Sequence, residues 1–340
     1  MKLSRTQVQS KDEKEYHWSR HCFYISILSA VFGAFYLAND TFIMHNVIVY
    51  PADTFTAVAF YLITGGWIGF LCMLVYASTI GRRLIDKNYT GLTFGTRKMQ
   101  LLALVSGTIS AGSTAFCLIG NQALDPSLVI ALSAASVVYL AIYDFCKKRT
   151  DIKSIIVPIL LVAVGSFFSS VTNLSGGFVI TWFGILIMIV GRCGTDALEN
   201  VVSQEGGNHT DSLNFVLWRF FWLALSGTVI MLLIAFARGK IDELIEMRYV
   251  FIPALPWILL TMFLVFFSLS LRQKAMENNT AVSKINLVLN FKTALGIPIA
   301  LCINAVYPGI FGNLPLDLYV WVIRALGVSL IIWGVIKLRK

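Results

Sequence analysis

Residues 213–236 read LNFVLWRFFWLALSGTVIMLLIAF, an apolar run broken by one charge, Arg219. A helix that crosses the hydrocarbon core of a bilayer needs about 20 mostly apolar residues, and this run supplies them without a turn signal. The pattern recurs along the chain. Similar runs occupy about 22–44, 55–78, 99–120, 127–146, 154–172, 177–198, 254–275, 281–303 and 317–337, so the spacing predicts ten spans. Nothing between them is long enough for a separate soluble domain. The runs are too long and the turns too sparse for the alternating ten-residue strands of a β-barrel. The expected fold is an all-α integral membrane bundle of ten transmembrane helices.

Composition agrees. Of 340 residues, 57% are hydrophobic and 13% charged, with a mean hydropathy of +0.76. A soluble globular chain carries roughly 25% charged residues and needs them to cover its core. A soluble enzyme, a disordered chain and a coiled coil are therefore excluded. The first 20 residues, MKLSRTQVQSKDEKEYHWSR, have no apolar stretch and no small-residue cleavage site. They predict a cytoplasmic tail over 1–21, followed by a first span that acts as an uncleaved topogenic helix.

The net charge of +9 comes from 27 Lys and Arg against 18 Asp and Glu. Most basic residues fall on one predicted side: Lys2, Arg5, Lys11, Lys14 and Arg20; Arg82, Arg83, Lys87, Arg97 and Lys98; Lys147, Lys148, Arg149 and Lys153; Arg272 and Lys274; and Lys337, Arg339 and Lys340. The other side holds Arg238, Lys240 and Arg248. Cytoplasmic retention of positive charge then places both termini in the cytoplasm, in a bacterial inner membrane or an ER or Golgi membrane. The asymmetry reads as an address, and no nucleic-acid partner is implied.

Ten spans divide into five and five, and an odd number per half requires inverted halves, here 22–175 and 176–340. Asn121-Gln122-Ala123-Leu124-Asp125-Pro126-Ser127 is echoed by Gln273-Lys274-Ala275-Met276-Glu277-Asn278-Asn279. Ala163-Val164-Gly165 in the fifth span matches Ala325-Leu326-Gly327 in the tenth. With the A-L-x-x-x-x-x-x-A-L-S-A-A-S pattern from Ala123 to Ser136 and the basic loop Lys147-Lys148-Arg149, the chain resembles the drug/metabolite transporter superfamily over nearly its full length. Asp144 is the nearest substitute for an acidic residue that many members place after the fourth span. The resemblance implies secondary transport by alternating access, with spans other than the fifth and tenth lining the cavity. Leu289-Asn290-Phe291-Lys292-Thr293, followed by Gly296-Ile297-Pro298, looks like the ninth span of nucleotide-sugar and sugar-phosphate transporters. That likeness implies phosphate contact by Asn290 and Lys292, with Phe291 inserted between them.

The residues themselves point to a few positions. Ionisable groups within hydrocarbon cost roughly 2.5–3.5 kcal/mol each on insertion scales, so those present usually serve a pathway. Lys292 lies mid-span, with Lys284, Asn286 and Asn290 on the same helix, and a Lys offers three donors to an anion. It either contacts substrate or pairs with an acid such as Asp40. Asn39 and Asp40, in the first span, are candidates for solute or proton binding, or simply a wetted helix end. Arg192, Asp196 and Glu199 are spaced for an internal ion pair and, with Arg219, form either a gate or a structural charge cluster. Arg324 is read as a packing residue, and Gly65-x-x-x-Gly69 as a close helix approach, within one copy or in a homodimer. The six cysteines lie singly and the four histidines are dispersed, so no metal or other cofactor is indicated. The chain shows no P-loop, H-E-x-x-H or G-x-S-x-G motif, so no enzyme is expected. The leading expectation is a carrier, monomeric or homodimeric, for a small polar metabolite that is anionic or phosphate-bearing. The alternatives are an exporter of neutral or zwitterionic solutes such as amino acids, and a membrane enzyme acting on lipid-linked substrates.

Overall fold

A computed structural model describes residues 5–48, 53–123, 133, 135–147, 152–169, 186–276, 282–306 and 318–339. The junction of the predicted halves at 175/176, most of the Ala123–Ser136 pattern and of the Asn121–Ser127 stretch, the end of its echo beyond Met276, and Lys148 and Arg149 lie outside them. The described residues form helices and connections with no strand. The principal helices are α1 (Arg5–Phe42), α2 (Thr54–Tyr76), α3 (Arg97–Ala123), α4 (Ser136–Cys146), α5 (Ile152–Ser169), α6 (Gly194–Gly207), α7 (Ser212–Ala237), α8 (Arg248–Met276), α9 (Val282–Leu289), α10 (Phe291–Val306) and α11 (Leu318–Arg339). Wider π-helical stretches extend α1 through Ile43–Val47 and α2 through Ala77–Gly81, and another, Ile187–Cys193, leads into α6.

Among the described residues, six helical segments are long and apolar enough to cross a membrane: His21–Asp40, Thr54–Leu84, Arg97–Gly120, Ser212–Ala237, Arg248–Met276 and Tyr319–Lys337. Ser136–Cys146 and Ile156–Phe168 are apolar but shorter. These helices suit a multi-pass integral membrane protein.

Two boundaries differ from expectation. The described part of the predicted tail is helical and continuous with the first span, making α1 38 residues long. The predicted ninth span is broken at Asn290, while Gly296 and Pro298 both lie inside α10. A break is tolerated at membrane depth only where protein or water supplies partners for the freed backbone groups. Here Asn290 N–H still donates to the Asn286 carbonyl (3.0 Å), and Thr293 N–H donates to the Asn290 carbonyl (3.0 Å).

The largest core joins α1, α2, α3, α7 and α8, with Val58, Phe60, Met73, Leu217, Phe220 and Phe266 among its buried members. Gly66 permits the close crossing of α2 and α7, since a Cβ there would stand 3.1 Å from Ala224 Cα. Gly69 serves the same crossing against Phe220, so the Gly65-x-x-x-Gly69 face is used within this copy. The α2–α7 pair is antiparallel and tied at both ends. Asp53 caps α2 by accepting from Phe55 N–H (3.2 Å) and pairs with Arg238 just past α7 (2.6 Å). At the other end, buried Asp86 accepts from the Ser212 hydroxyl (2.8 Å) and N–H (3.2 Å), and pairs with Lys274 (3.3 Å). A carboxylate at a helix N-terminus satisfies donors that have no intrahelical partner. Burial pushes the Asp86 carboxyl up, but the Ser212 hydroxyl, Asn88 N–H and Lys274 more than offset it and hold it below the usual carboxylate range. Asp144 plays the same part for α9, accepting from Ser283 N–H (2.7 Å) while fully buried.

α5 and α11 pack on one another. A Cβ on Gly165 would lie 2.6 Å from the Gly327 carbonyl oxygen. The two matched triplets of the fifth and tenth runs thus meet at their glycines. Arg324 is buried with its guanidinium over the Trp321 ring, 5.3 Å from the centroid.

Candidate functional site

A cavity of about 130 Å³ lies among α1, α2, α3, α6, α7 and α8. Three guanidinium groups line it, Arg192, Arg219 and Arg272, together with three carboxylates, Asp40, Asp196 and Glu199. The formal charges of these six balance. Among the described residues, none of the lining comes from α5, α9, α10 or α11.

One end of the cavity is a carboxylate held by hydroxyls. Tyr61 and Thr261 both donate to Oδ1 of Asp40, the Thr261 bond at 3.1 Å. The neighbouring Asn39 faces elsewhere: its amide donates to the Trp257 carbonyl (2.9 Å) and to Thr261 Oγ1 (2.8 Å), tying α1 to α8.

The other end is an ion cluster. Glu199 accepts from Arg219 (2.7 Å), from Arg272 through both oxygens (2.9 and 3.2 Å) and from the Ser203 hydroxyl (3.0 Å). Arg219 is only 2% exposed. A cation so far from water is tolerable only when paired and hydrogen-bonded, and Glu199 meets that need at one terminal nitrogen, while the buried Nε has no partner among the described residues. Gly66 faces Ala224 and Gly69 faces Phe220 in antiparallel register, so Tyr61 and Arg219 stand at different depths, about 15 Å apart along the axis at 1.5 Å per residue.

Arg192 and Tyr36 occupy the middle. The Arg192 guanidinium donates to Ser113 Oγ rather than closing a hydrogen-bonded pair with the carboxylate four residues on. Asp196 lies within electrostatic reach of Arg192, Arg272 and Lys292. The Tyr36 hydroxyl lies within reach of Arg192 and Arg272 and also of Asp40.

The structure divides the residues singled out from sequence. Asp40, Arg192, Asp196, Glu199 and Arg219 are brought to one cavity. Lys292, Asn290, Asn286, Lys284 and Asn39 are not among its lining. Lys284 is exposed. The Asn286 amide donates to Ser136 Oγ (3.0 Å), joining α9 to α4. Asn290 is buried at the α9–α10 break, and its amide nitrogen has no partner. The Lys292 stem lies beside Gly33 of α1, 3.8 Å from where a Cβ would stand, with Ser268 next to it. Its charge lies within electrostatic reach of Asp196, Arg192 and Arg272 of the cavity.

Sequence reasoning missed Tyr36 and Thr261, and it read Tyr61 only as one of many aromatics that anchor the core or stack on a solute. It also placed Arg272 in a loop as part of the positive address. In the structure Arg272 is inside α8, paired with Glu199 and facing the cavity. The one available signal was Glu199 itself, a buried acid with two cations within reach of its helix. No family model matches the chain, and no curated protein matches it.

Proposed function

We propose that the protein is a secondary carrier that moves a small polar solute bearing both charges across a membrane by alternating access. The observation that carries this is the charge-balanced cavity enclosed by apolar helices. Its carboxylate end at Asp40 suits a cationic group, and Arg192, which among the described residues hydrogen-bonds to the Ser113 hydroxyl, suits an anionic one. Size favours a small solute. A water molecule takes about 30 Å³ and drug-sized ligands occupy pockets of roughly 300–1,000 Å³, so 130 Å³ suits a compact zwitterion of the amino-acid class.

The proposed architecture is ten spans in two inverted five-helix repeats, with both termini cytoplasmic. Three features support it. α2 and α7, second in each half, both start on an Asp cap, Asp53 and Asp211. The matched Gly165 and Gly327 meet. Basic residues crowd one predicted side. A purely anionic, phosphate-bearing solute is the second candidate, favoured by Lys292 lying in the field of the same cluster.

Uptake by the reconstituted chain tests both. Labelled amino acids should accumulate, with competition by zwitterions and none by phosphorylated compounds. Asp40→Asn and Arg192→Gln should each cut uptake at least ten-fold. Transport of phosphate esters alone, lost in Lys292→Gln, would favour the second candidate. Uptake of no solute of either class would refute the carrier.

A further inference from the structure

At the end of α2 the chain leaves the bundle through the π-helical stretch Ala77–Gly81 and a single turn, Arg82–Leu84. An open recess of about 640 Å³ lies there, lined by Ser78, Thr79, Arg82, Arg83 and Lys87. It is separate from the charged cavity and is not used by the proposed transport.

Three observations define what it would bind. First, its cations are not neutralised. Among the described residues no carboxylate lies within ion-pair distance of Arg82, Arg83 or Lys87, although neighbouring charges are matched: Asp86 is taken by Ser212 and Lys274, and Lys98 by Glu205 (3.1 Å). Second, the hydroxyls of Ser78 and Thr79 donate back to the Leu74 and Val75 carbonyls (2.8 and 2.7 Å). The donors that the recess offers an anion are therefore those of Arg82, Arg83 and Lys87, and its lining charge is wholly cationic. Third, the recess continues an exposed apolar surface. Leu71 and Val75, four apart on α2 and so on one face, are 61% and 58% exposed, and Leu84, beside the two arginines, is 71% exposed.

We infer that this recess holds the phosphodiester headgroup of an anionic glycerophospholipid, with the acyl chains lying along Leu71 and Val75. Arg82 is seven residues past Val75, about 10 Å along the helix axis. The headgroup layer is about 5–8 Å deep on each side of a hydrocarbon core of about 30 Å. A lipid tail at Val75 therefore brings its phosphate to the level of the arginines. A free anion would gain the same cations but nothing from the apolar strip. Juxtamembrane basic clusters draw anionic lipid in just this way. The inference needs only that α2 crosses a bilayer, so it stands or falls apart from the choice of solute.

Native mass spectrometry of the purified chain, titrated with phosphatidylglycerol, phosphatidylcholine or inorganic phosphate, tests it. The expected result is at least a ten-fold preference for phosphatidylglycerol over phosphatidylcholine, about 1.4 kcal/mol, undiminished by millimolar inorganic phosphate. The triple variant Arg82→Gln, Arg83→Gln, Lys87→Gln should bring the two lipids within two-fold of each other, while Arg82→Lys with Arg83→Lys should keep most of the preference. All three side chains are exposed, and the thermal transition of each variant, measured in parallel, reports its folding. A preference retained in the folded triple variant would overturn the assignment. So would displacement of the lipid by inorganic phosphate.

Discussion

Glu199 is the residue on which the buried charge of this protein depends. Two guanidinium groups and a hydroxyl converge on it, and it is only 3% exposed. Removing one partner of a buried pair costs roughly 3–5 kcal/mol, because the other is stranded. Glu199→Gln should therefore lower thermal stability in detergent by an amount of that order, whereas Lys284→Gln, at an exposed position, should stay within about 0.5 kcal/mol of the parent. Asp86 adds a pH dependence. Its carboxyl is held below the ordinary value, about 3.9 in an unfolded chain. A depressed carboxylate stabilises the folded state at every pH above that value, and the contribution disappears as pH falls through the depressed one. The melting temperature should therefore lose an acid-side component below about pH 4, and Asp86→Asn should remove that component. A drop of equal size in both proteins would show that other groups cause it.

Between elements, glycine decides how closely helices approach. A Cβ on Gly107 of α3 would stand 2.5 Å from the Arg219 carbonyl oxygen and 2.7 Å from Leu223 nitrogen, both backbone atoms of α7. These atoms have no rotamer in which to retreat, and overpacking of this kind costs typically 1–3 kcal/mol. Gly112, about a turn and a half further along the same helix, has nothing within 4 Å of its added Cβ. Ala there removes only the flexibility of Gly in a helix, a gain of about 0.5–1 kcal/mol. Gly107→Ala should thus lower the melting temperature and Gly112→Ala should raise it slightly, and equal shifts would mean that α3 and α7 do not cross as described. Gly107→Ala should also impair uptake, since it pushes on the turn of α7 that carries Arg219.

For the molecule as a whole, the antiparallel α2–α7 pair sets the scale. α7 has 26 residues, about 39 Å at 1.5 Å each, and its two ends carry the Asp86–Ser212 and Asp53–Arg238 ties. That length exceeds a hydrocarbon core of about 30 Å, so the ties should lie at opposite membrane faces. In a cysteine-free background, Lys87→Cys and Lys240→Cys should react with an impermeant maleimide from opposite sides, and labelling from one side only would contradict a crossing α7. The sequence alone determined that the described chain is helical and apolar enough for a membrane, because hydrophobicity adds up residue by residue along a run. The charge excess and the spacing of Arg192, Asp196 and Glu199 were legible for the same reason. Tertiary structure decided which charges meet. Glu199 and Arg272 are 73 positions apart and Asp40 and Thr261 are 221 apart, and their contact depends on how each helix is rotated and where it crosses its neighbours. Lys292, the most conspicuous charge in its run, was placed off the cavity by that rotation, and Arg272, apparently a loop residue, was brought into it.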